Sequence, residues 1–274
     1  DVYKRQDFLI TKGSERKYVI EKLKKINPNL QFLAEKVETL YEFHEAMSIG
    51  YSYFQGYYFS KPQIIRGKKI PENKIIYLNI IKELNSKDFS FEDYENLIKK
   101  DISLSYKLLK LVNSAKYSFK CGITSIKQAE IIIGEKNLKK WLYIMCIKPL
   151  CKDKLEVIMI ESLFRAKFSE LLIKKTRLDK YSFDVYLTGI MSLMDVILQK
   201  PMNEVLGELM LPKEVLEALT GTTENYCSKM LEIAIAYEKA DWERSILLAD
   251  KHFNLTKKDL ISAYKVALSW IDEI

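Results

Sequence analysis

Residues 101–142 read DISLSYKLLKLVNSAKYSFKCGITSIKQAEIIIGEKNLKKWL. The stretch is typical of amphipathic helices, because apolar residues recur at helical spacing while lysines lie between them. Ser125 and Gln128 fit the pattern of a helix N-terminus, and Gly134 fits a helix C-terminus. This part of the chain therefore predicts helices and no strand.

The helical pattern continues on both sides of this stretch. We expect about ten helices between residues 72 and 273, with 153–176 and 183–199 the longest. Gly and Pro are scarce, which favours long helices over turn-rich β architecture. Further start, stop and break signals are Ser90 with Asp93, Thr256 with Asp259, Gly221, Pro201 and Pro212.

Residues 7–62 show a different pattern. Helical spacing over 14–26 and 39–49 alternates with short strand-like stretches at 30–35 and 53–59. Strands joined by crossover helices lie parallel, and a parallel sheet needs cover on both faces. We therefore interpret this segment as the tail of a larger α/β domain.

The domain organisation that we predict has three parts. They are residues 1–62, a connector at 63–71 and a helical domain at 72–274. The first six residues, DVYKRQ, match the translation of a common sequencing-adapter sequence, so we expect them to be foreign to the natural protein.

Charge is distributed unevenly along the chain. The net charge is +7, and residues 63–154 carry nineteen Lys or Arg against ten acids. Only six of the 44 basic residues are Arg, the residue best suited to bidentate recognition of phosphates and bases. Residues 99–140 nevertheless combine ten Lys with nearby aromatic residues, which leaves a nucleic-acid surface as one hypothesis. At helical spacing we expect those aromatics, Tyr106, Tyr117, Phe119 and Trp141, to face inward.

The cysteines indicate a reducing compartment. Four Cys without a C-x-x-C pair are expected to be reduced core thiols of a cytoplasmic protein. The longest apolar run, at 141–147, is far shorter than the roughly 20 residues that cross a bilayer. The cysteines are Cys121, Cys146, Cys151 and Cys227.

Catalytic motifs are missing from the sequence. There is no P-loop, G-x-S-x-G, G-x-G-x-x-G or H-E-x-x-H. His44 and His252 are the only histidines, and they are far apart. We therefore expect no metal and no catalytic set in this chain, and we predict that it is not an enzyme.

Residues 101–142 resemble the HDOD domain, a helical signalling module related to the HD phosphohydrolases. The family pattern has L-L-x-x-V-N-S-A, then S-I-x-Q-A, then a Gly and a Trp, and it extends here from about residue 70 to the C-terminus. Its motif positions in this chain are Asn113, Ser114, Ser125, Gln128, Gly134 and Trp141. Asn113 and Ser114 end an apolar helix, where we expect their side chains to bond backbone groups around a turn.

The catalytic relatives of this family carry a metal-binding His-Asp pair in a G-x-x-H-D run. The corresponding stretch here is GIMSLMD, which places Ser192 and Leu193 at those two positions. Asp195 lies nearby, but a single carboxylate without imidazole partners is a poor divalent site, and we expect it to be a surface or capping acid. The resemblance therefore implies a module that does not catalyse.

The segments LAEKVET at 33–39 and YFQGYYFSKP at 53–62 resemble late motifs of the EAL domain, a (β/α)₈ phosphodiesterase of cyclic di-GMP. The resemblance covers about the last quarter of that fold. It implies that Glu35 and Gln55 line the site, because functional groups in such barrels lie at the carboxyl ends of the strands. Lys36 replaces a Gly of the usual motif.

An intact EAL domain holds two divalent cations, with Mg²⁺ or Mn²⁺ expected, through carboxylates of earlier strands that are not present here. We therefore expect Glu35 and Gln55 to be remnants of a site. The fold class expected is mainly α, with an all-helical HDOD domain after a C-terminal fragment of a (β/α)₈ EAL barrel.

Three hypotheses follow. The first is a bacterial signalling protein whose HDOD half acts through a protein partner. The second is an intact parent that hydrolyses cyclic di-GMP under HDOD control. The third is a Lys-rich module that binds nucleic acid, which we expect to be the weakest of the three.

Overall fold

The computed structural model describes residues 3–8, 10, 12–37, 39–56, 70–86, 89–114, 122–151 and 156–274. The chain divides into two compact units, residues 1–63 and residues 64–274. Each unit has its own hydrophobic core. Most of the predicted connector, together with Tyr117, Phe119 and Cys121, lies outside the described residues.

The N-terminal unit contains a three-stranded parallel sheet in the order β1-β2-β3. Two helices provide the crossovers, as predicted for 14–26 and 39–49. The elements are β1 (Tyr3–Asp7), α1 (Gly13–Ile26), β2 (Gln31–Glu35), α2 (Leu40–Ile49) and β3 (Tyr53–Gln55). The described residues show this small sheet and not a barrel.

Strand β1 was not predicted, and it includes residues 3–6 of the segment that we expect to be foreign to the natural protein, an expectation that stays a prediction. The strand pairs with β2 along its whole length, and two of its side chains also bind the rest of the unit. Arg5 forms an ion pair with Glu35, and Tyr51 donates a hydrogen bond to Gln6. The strand is polar and lacks alternating apolar residues, so its sequence gives no strand signal.

Phe32 and Ala34 point from β2 into the core of this unit, whereas Gln31 is exposed. After β3 the chain passes so close to Val37 that a Cβ at Gly56 would lie 2.2 Å from the Val37 nitrogen. Only glycine therefore fits at this point. The predicted second strand is shorter than expected, and residues 57–59 lie outside the described part.

The described residues of the second unit form thirteen α-helices, three more than predicted, and no strand. They are α3 (Glu72–Leu84), α4 (Phe91–Lys99), α5 (Ile102–Val112), α6 (Ile126–Ile133), α7 (Glu135–Leu150), α8 (Glu156–Ile173), α9 (Ser182–Met191), α10 (Met194–Leu198), α11 (Met202–Leu206), α12 (Lys213–Thr220), α13 (Tyr226–Glu238), α14 (Trp242–Phe253) and α15 (Lys257–Asp272).

The helix ends follow the local signals. Both Ser90 with Asp93 and Thr256 with Asp259 form complete capping boxes. Ser125 accepts a hydrogen bond from the Gln128 backbone nitrogen and forms the N-cap of α6. Gly134 and Gly221 end α6 and α12 with positive φ, and Pro201 and Pro212 are the N-caps of α11 and α12.

The helix predicted over 183–199 is two helices, because α9 ends at Met191 and α10 begins at Met194. Helix α9 packs closely on α8 before this break. A Cβ at Gly189 would lie 2.4 Å from the Ala166 nitrogen, so the two backbones meet without an intervening side chain. This contact brings the end of α9 beside the middle of α8.

Within the described residues, 179–198 is a stretch long and apolar enough to cross a membrane by composition alone. Most of this stretch is buried in the helical unit, and every residue from Val185 to Met191 is buried. A buried core helix passes the same compositional test. The stretch therefore belongs to the hydrophobic core described here.

Three of the four cysteines are free and buried, as predicted for core thiols. Burial raises the pKa of the Cys151 and Cys227 thiols to about 12. Burial also raises the pKa of Cys146. These thiols are therefore protonated and unreactive at neutral pH.

Candidate functional site

The carboxyl edge of the sheet brings three polar residues into register. Glu35 of β2 pairs directly with Asp7 of β1 on one side and with Gln55 of β3 on the other. The predicted pair, Glu35 and Gln55, therefore lies together at one edge, with Asp7 as a neighbour that the sequence did not single out.

Each carboxylate at this edge is already paired with a basic side chain. Arg5 pairs with Glu35, and Lys36 Nζ lies 2.5 Å from Asp7 Oδ2. The hydrogen bond to Asp7 is the main cause of the raised pKa of Lys36. Two carboxylates with their own counter-charges fall short of the ligand set that Mg²⁺ or Mn²⁺ requires, so the described edge does not fit a metal.

Lys36 also adopts an unusual backbone conformation, with φ of 56°. Left-handed backbone is typical of glycine because a Cβ is crowded there. This backbone conformation explains why the EAL-like motif has a Gly where this chain has Lys36. Lys36 retains that conformation while its side chain forms the ion pair with Asp7.

In the helical unit, the stretch GIMSLMD lies at the break between α9 and α10. Ser192 Oγ donates a hydrogen bond to the Gly189 carbonyl at 2.7 Å and accepts one from Arg165 Nη1 at 3.2 Å. Leu193 is buried among apolar side chains. Neither residue presents a metal ligand with imidazole or carboxylate chemistry.

Arg165 of α8 is the cationic centre of this region. Its Nε and Nη2 atoms donate to the two carboxylate oxygens of Glu238 at 2.7 and 2.8 Å. The Arg165 and Glu238 side chains are mostly buried, with exposed fractions of 6% and 16%. The pair therefore joins α8, the α9–α10 break and the end of α13 through charge-assisted hydrogen bonds.

Glu161 lies one turn before Arg165 on α8. Burial, followed by the charge of Glu238, raises the pKa of Glu161 to about 7, although Arg165 acts to lower it. Its Oε2 atom is buried without a hydrogen-bond partner among the described residues. The carboxyl groups of Glu161 and Glu238 thus both lie near the guanidinium of Arg165. Glu238 binds it directly, so the negative charge of an ionised Glu161 would be poorly compensated.

Asp195 lies in the first turn of α10, where its Oδ1 accepts a hydrogen bond from the Val196 backbone nitrogen at 2.9 Å. Burial raises its pKa, while that hydrogen bond and Arg165 act to lower it. Its interaction is with a helix N-terminus, which is favourable for an acid.

The HDOD motif residues lie around the α5–α6 connection and in α7. The Asn113 amide donates to the carbonyls of Leu109 and Ile123, both at 2.8 Å, and accepts from the Ile123 nitrogen at 2.7 Å. Ser114 donates to the Leu111 carbonyl at 2.6 Å. These side chains tie the end of α5 to the segment that leads into α6.

The aromatic residues of the Lys-rich segment separate into two groups. Trp141 packs against the helical core, as expected. The inward prediction is wrong for Tyr106, whose exposed fraction is 66%. Tyr106 lies on the solvent side of α5, because the residues that α5 buries are Leu104, Leu108 and Val112.

His44 lies on α2 of the N-terminal unit, and His252 lies on α14 of the helical unit. No group of three metal-ligating His, Cys, Asp or Glu side chains occurs among the described residues. The expectation of a chain without metal or cofactor stays a prediction.

The buried charges of α8 were not predicted from the sequence. Helix α8 is apolar on most of its surface, yet Arg165 and Glu170 occupy buried positions in it. Charged residues at core positions are rare unless they are paired. Charged residues at core positions of an otherwise apolar helix therefore indicate buried ion pairs. The sequence pattern does not identify Glu238 as the partner of Arg165.

Comparison with known proteins agrees with the helical resemblance. Residues 70–236 match the HDOD domain. The protein YuxH of Bacillus subtilis (strain 168) is 35% identical over 268 residues, which cover 96% of this chain and 64% of YuxH. Cyclic di-GMP phosphodiesterase CdgJ of Vibrio cholerae is 32% identical over 213 residues, which cover 78% of this chain and 49% of CdgJ.

A solved structure from Shewanella amazonensis SB2B, named as a metal-dependent phosphohydrolase, has a TM-score of 0.47 and 16% identity, covering 74% of this chain and 92% of that one. The chain spans less than two thirds of the length of the curated relatives it matches. The family match covers more than half of the chain and includes Asn113, Arg165 and Ser192. The chain belongs to the HDOD domain family.

Proposed function

We propose that this chain is the HDOD part of a bacterial cytoplasmic signalling protein and acts through contacts with a protein partner, without catalysis of its own. The observation that carries the proposal is the Arg165 interaction at the α9–α10 break. Its guanidinium is bound by Glu238 and Ser192, so these groups are engaged in internal hydrogen bonds. In the N-terminal unit we propose the remnant of an EAL domain.

Two further features support this proposal. The relative CdgJ is named as a cyclic di-GMP phosphodiesterase, which connects the family to that signalling nucleotide. The buried free thiols Cys146, Cys151 and Cys227 suit a reducing compartment. No step of hydrolysis can be derived from the described residues of the sheet edge, because each carboxylate there forms an ion pair with an Arg or Lys side chain.

The test is a metal-binding and turnover measurement on the 274-residue chain. Mn²⁺ and Mg²⁺ binding would be measured by calorimetry, and cyclic di-GMP hydrolysis would be followed by chromatography with CdgJ as the positive control. We expect neither stoichiometric metal binding nor turnover. Stoichiometric Mn²⁺ binding together with product formation would contradict the proposal.

A second candidate is a longer parent protein that hydrolyses cyclic di-GMP under HDOD control. It is favoured by the alignment of Asp7, Glu35 and Gln55 at the carboxyl edge of a parallel sheet. Mg²⁺ or Mn²⁺ would be needed in such a parent.

This candidate is tested with the full-length parent and its Glu35→Gln and Gln31→Ala variants. Gln31 is the matched control, because it lies on the same strand at the opposite end. Metal-dependent turnover that falls with Glu35→Gln and persists with Gln31→Ala is the expected result. An inactive parent, or equal effects of the two variants, would exclude this candidate.

A further inference from the structure

Glu170 of α8 is a buried carboxylate surrounded by three lysines. Lys140 Nζ from α7 lies 2.5 Å from Glu170 Oε1, and Lys167 Nζ lies 3.4 Å from Oε2. Lys174 also donates to Oε1. The Glu170 side chain is only 1% exposed. One negative charge therefore faces three positive charges, which leaves a local excess of two.

The carboxylate is ionised at neutral pH. Burial acts to raise the pKa of Glu170, but the charges and hydrogen bonds of Lys140, Lys174 and Lys167 prevail and lower it to about 2. Burial in turn lowers the pKa of Lys140, which Glu170 partly offsets. The excess positive charge is thus partly removed from water, where screening is weaker.

Aromatic rings help to fix two of the three ammonium groups. Lys140 Nζ lies 5.0 Å from the centre of the Tyr186 ring on α9, and Lys167 Nζ lies 5.1 Å from the centre of the Trp270 ring on α15. Cation–π contacts at these distances are attractive. The lysines are therefore positioned by four helices, α7, α8, α9 and α15, and do not extend freely from one helix.

Each ammonium group has three N–H donors, and its bond to Glu170 uses one of them. The exposed fractions of the Lys140, Lys167 and Lys174 side chains are 17%, 19% and 49%, so each side chain is partly exposed to solvent. Several N–H donors with an uncompensated charge of two are thus available to an anion at this surface.

We propose that Lys140, Lys167 and Lys174 form a binding site for a dianionic phosphoryl group, which competes with Glu170 for the three ammonium groups. The charge of the phosphoryl group matches the local excess, and its oxygens accept several hydrogen bonds, whereas a single carboxylate carries half that charge. The group belongs either to a free phosphate compound or to a phosphorylated side chain of a partner. This site does not depend on the proposed function.

The first experiment measures binding of pyrophosphate to the full chain by calorimetry at low ionic strength. Lys140→Gln/Lys174→Gln is compared with Lys107→Gln/Lys110→Gln, which removes the same charge from exposed positions on α5. We expect binding to weaken at least about tenfold in the first variant only, because that variant alone removes charge-assisted hydrogen bonds to the anion. If the affinity for pyrophosphate fell equally in both variants, the effect would be due to net charge alone, and the proposal would be overturned.

The single variant Lys174→Gln guards against misfolding of the double variant, because Lys174 is half exposed. We expect weaker pyrophosphate binding with an unchanged circular dichroism spectrum. An unchanged affinity, or no saturable binding of pyrophosphate to the unmodified chain at concentrations up to about 1 mM, would overturn the proposal.

Glu170→Gln provides an independent test, because Glu170 and a phosphoryl group compete for the same ammonium groups. We expect this variant to bind pyrophosphate more tightly than the unmodified chain, and to gain more thermal stability from it. A loss of binding in Glu170→Gln that remains folded would contradict the proposed competition.

The two sources of the phosphoryl group are separated with a phosphoserine peptide and its unphosphorylated form. Binding of the phosphopeptide more tightly than inorganic phosphate supports a modified partner. Tighter binding of inorganic phosphate or pyrophosphate supports a free phosphate compound. Binding of both peptide forms with equal affinity would show that no phosphoryl group is recognised.

Discussion

Single buried charges determine how this helical unit responds to pH. The pKa of Glu161 is raised from 4.5 to about 7. A carboxyl whose pKa is higher in the folded state stabilises the fold while it is protonated, below about pH 4.5, and that contribution is lost as pH rises through about 7. Stability is therefore expected to fall across this range on account of Glu161.

Glu161→Gln should remove the contribution of Glu161 to this dependence, because the amide is neutral at every pH. We expect the variant to be more stable than the unmodified chain by about 1–3 kcal/mol at pH 8 and equally stable at pH 4. Urea denaturation at both pH values measures this difference. Glu243→Gln on the exposed surface of α14 is the control, and a difference that is the same at both pH values would refute the assignment.

Asn113 is the second residue with a specific structural role. Its three hydrogen bonds to the backbone of Leu109 and Ile123 link the end of α5 to the segment before α6. Asn113→Ala should lower the free energy of unfolding by about 1 kcal/mol or more. Each hydrogen bond contributes about that much, and exposure of the side chain to water keeps the total below the sum of the three bonds. Ser114→Ala, which loses one bond within the same turn, should cost less by urea denaturation; an equal or larger cost would argue against the bridging role.

Element boundaries were predictable wherever the signal is local. The capping boxes at Ser90 and Thr256 and the glycine at residue 134 involve residues within four positions of each other, so the sequence contains the whole interaction. Strand β1 was missed because its partners lie about thirty residues away in β2. The Arg165–Glu238 ion pair joins residues 73 positions apart, which no local pattern can reveal.

The packing of α8 on α9 depends on the missing side chain at Gly189. A Cβ there would lie within 2.6 Å of three backbone atoms of Arg165 and Ala166. We expect Gly189→Ala to destabilise the helical unit by at least about 2 kcal/mol, because the helices must separate. Thermal unfolding measures the effect.

Gly122→Ala is the control for this prediction, since a Cβ at Gly122 would make only an ordinary contact, 3.7 Å from the Asn113 side chain. It should change stability little. A Gly189→Ala variant as stable as the unmodified chain would mean that α8 and α9 are not in backbone contact.

At the scale of the whole molecule, the two units differ in how well each can bury its own core. The helical unit has an extensive core, whereas the described part of the N-terminal unit has eight buried core residues around three parallel strands. We expect the fragment 64–274 to unfold cooperatively with a strongly helical circular dichroism spectrum. The fragment 1–63 should be marginally stable at best, because so small a core rarely offsets chain entropy.

Limited proteolysis of the full chain provides the same comparison in one sample. The fragment that persists should correspond to the helical unit. Loss of both units at the same rate, or a fragment 64–274 without a cooperative transition, would contradict their separate cores. The parallel sheet was predictable from alternating strand and helix patterns, but its three-strand extent depends on β1, which the sequence alone did not indicate.

The guanidinium of Arg165 has a consequence for how the protein behaves in the cell. It is a permanent positive charge covalently attached to α8, and it is bound to Glu238 and Ser192. A chelator cannot extract it, and metal starvation cannot deplete it. The junction of α8, α9 and α13 should therefore keep its shape in iron-poor, manganese-poor or EDTA-treated surroundings. A domain that is held together by a dissociable ion would lose its shape under the same conditions.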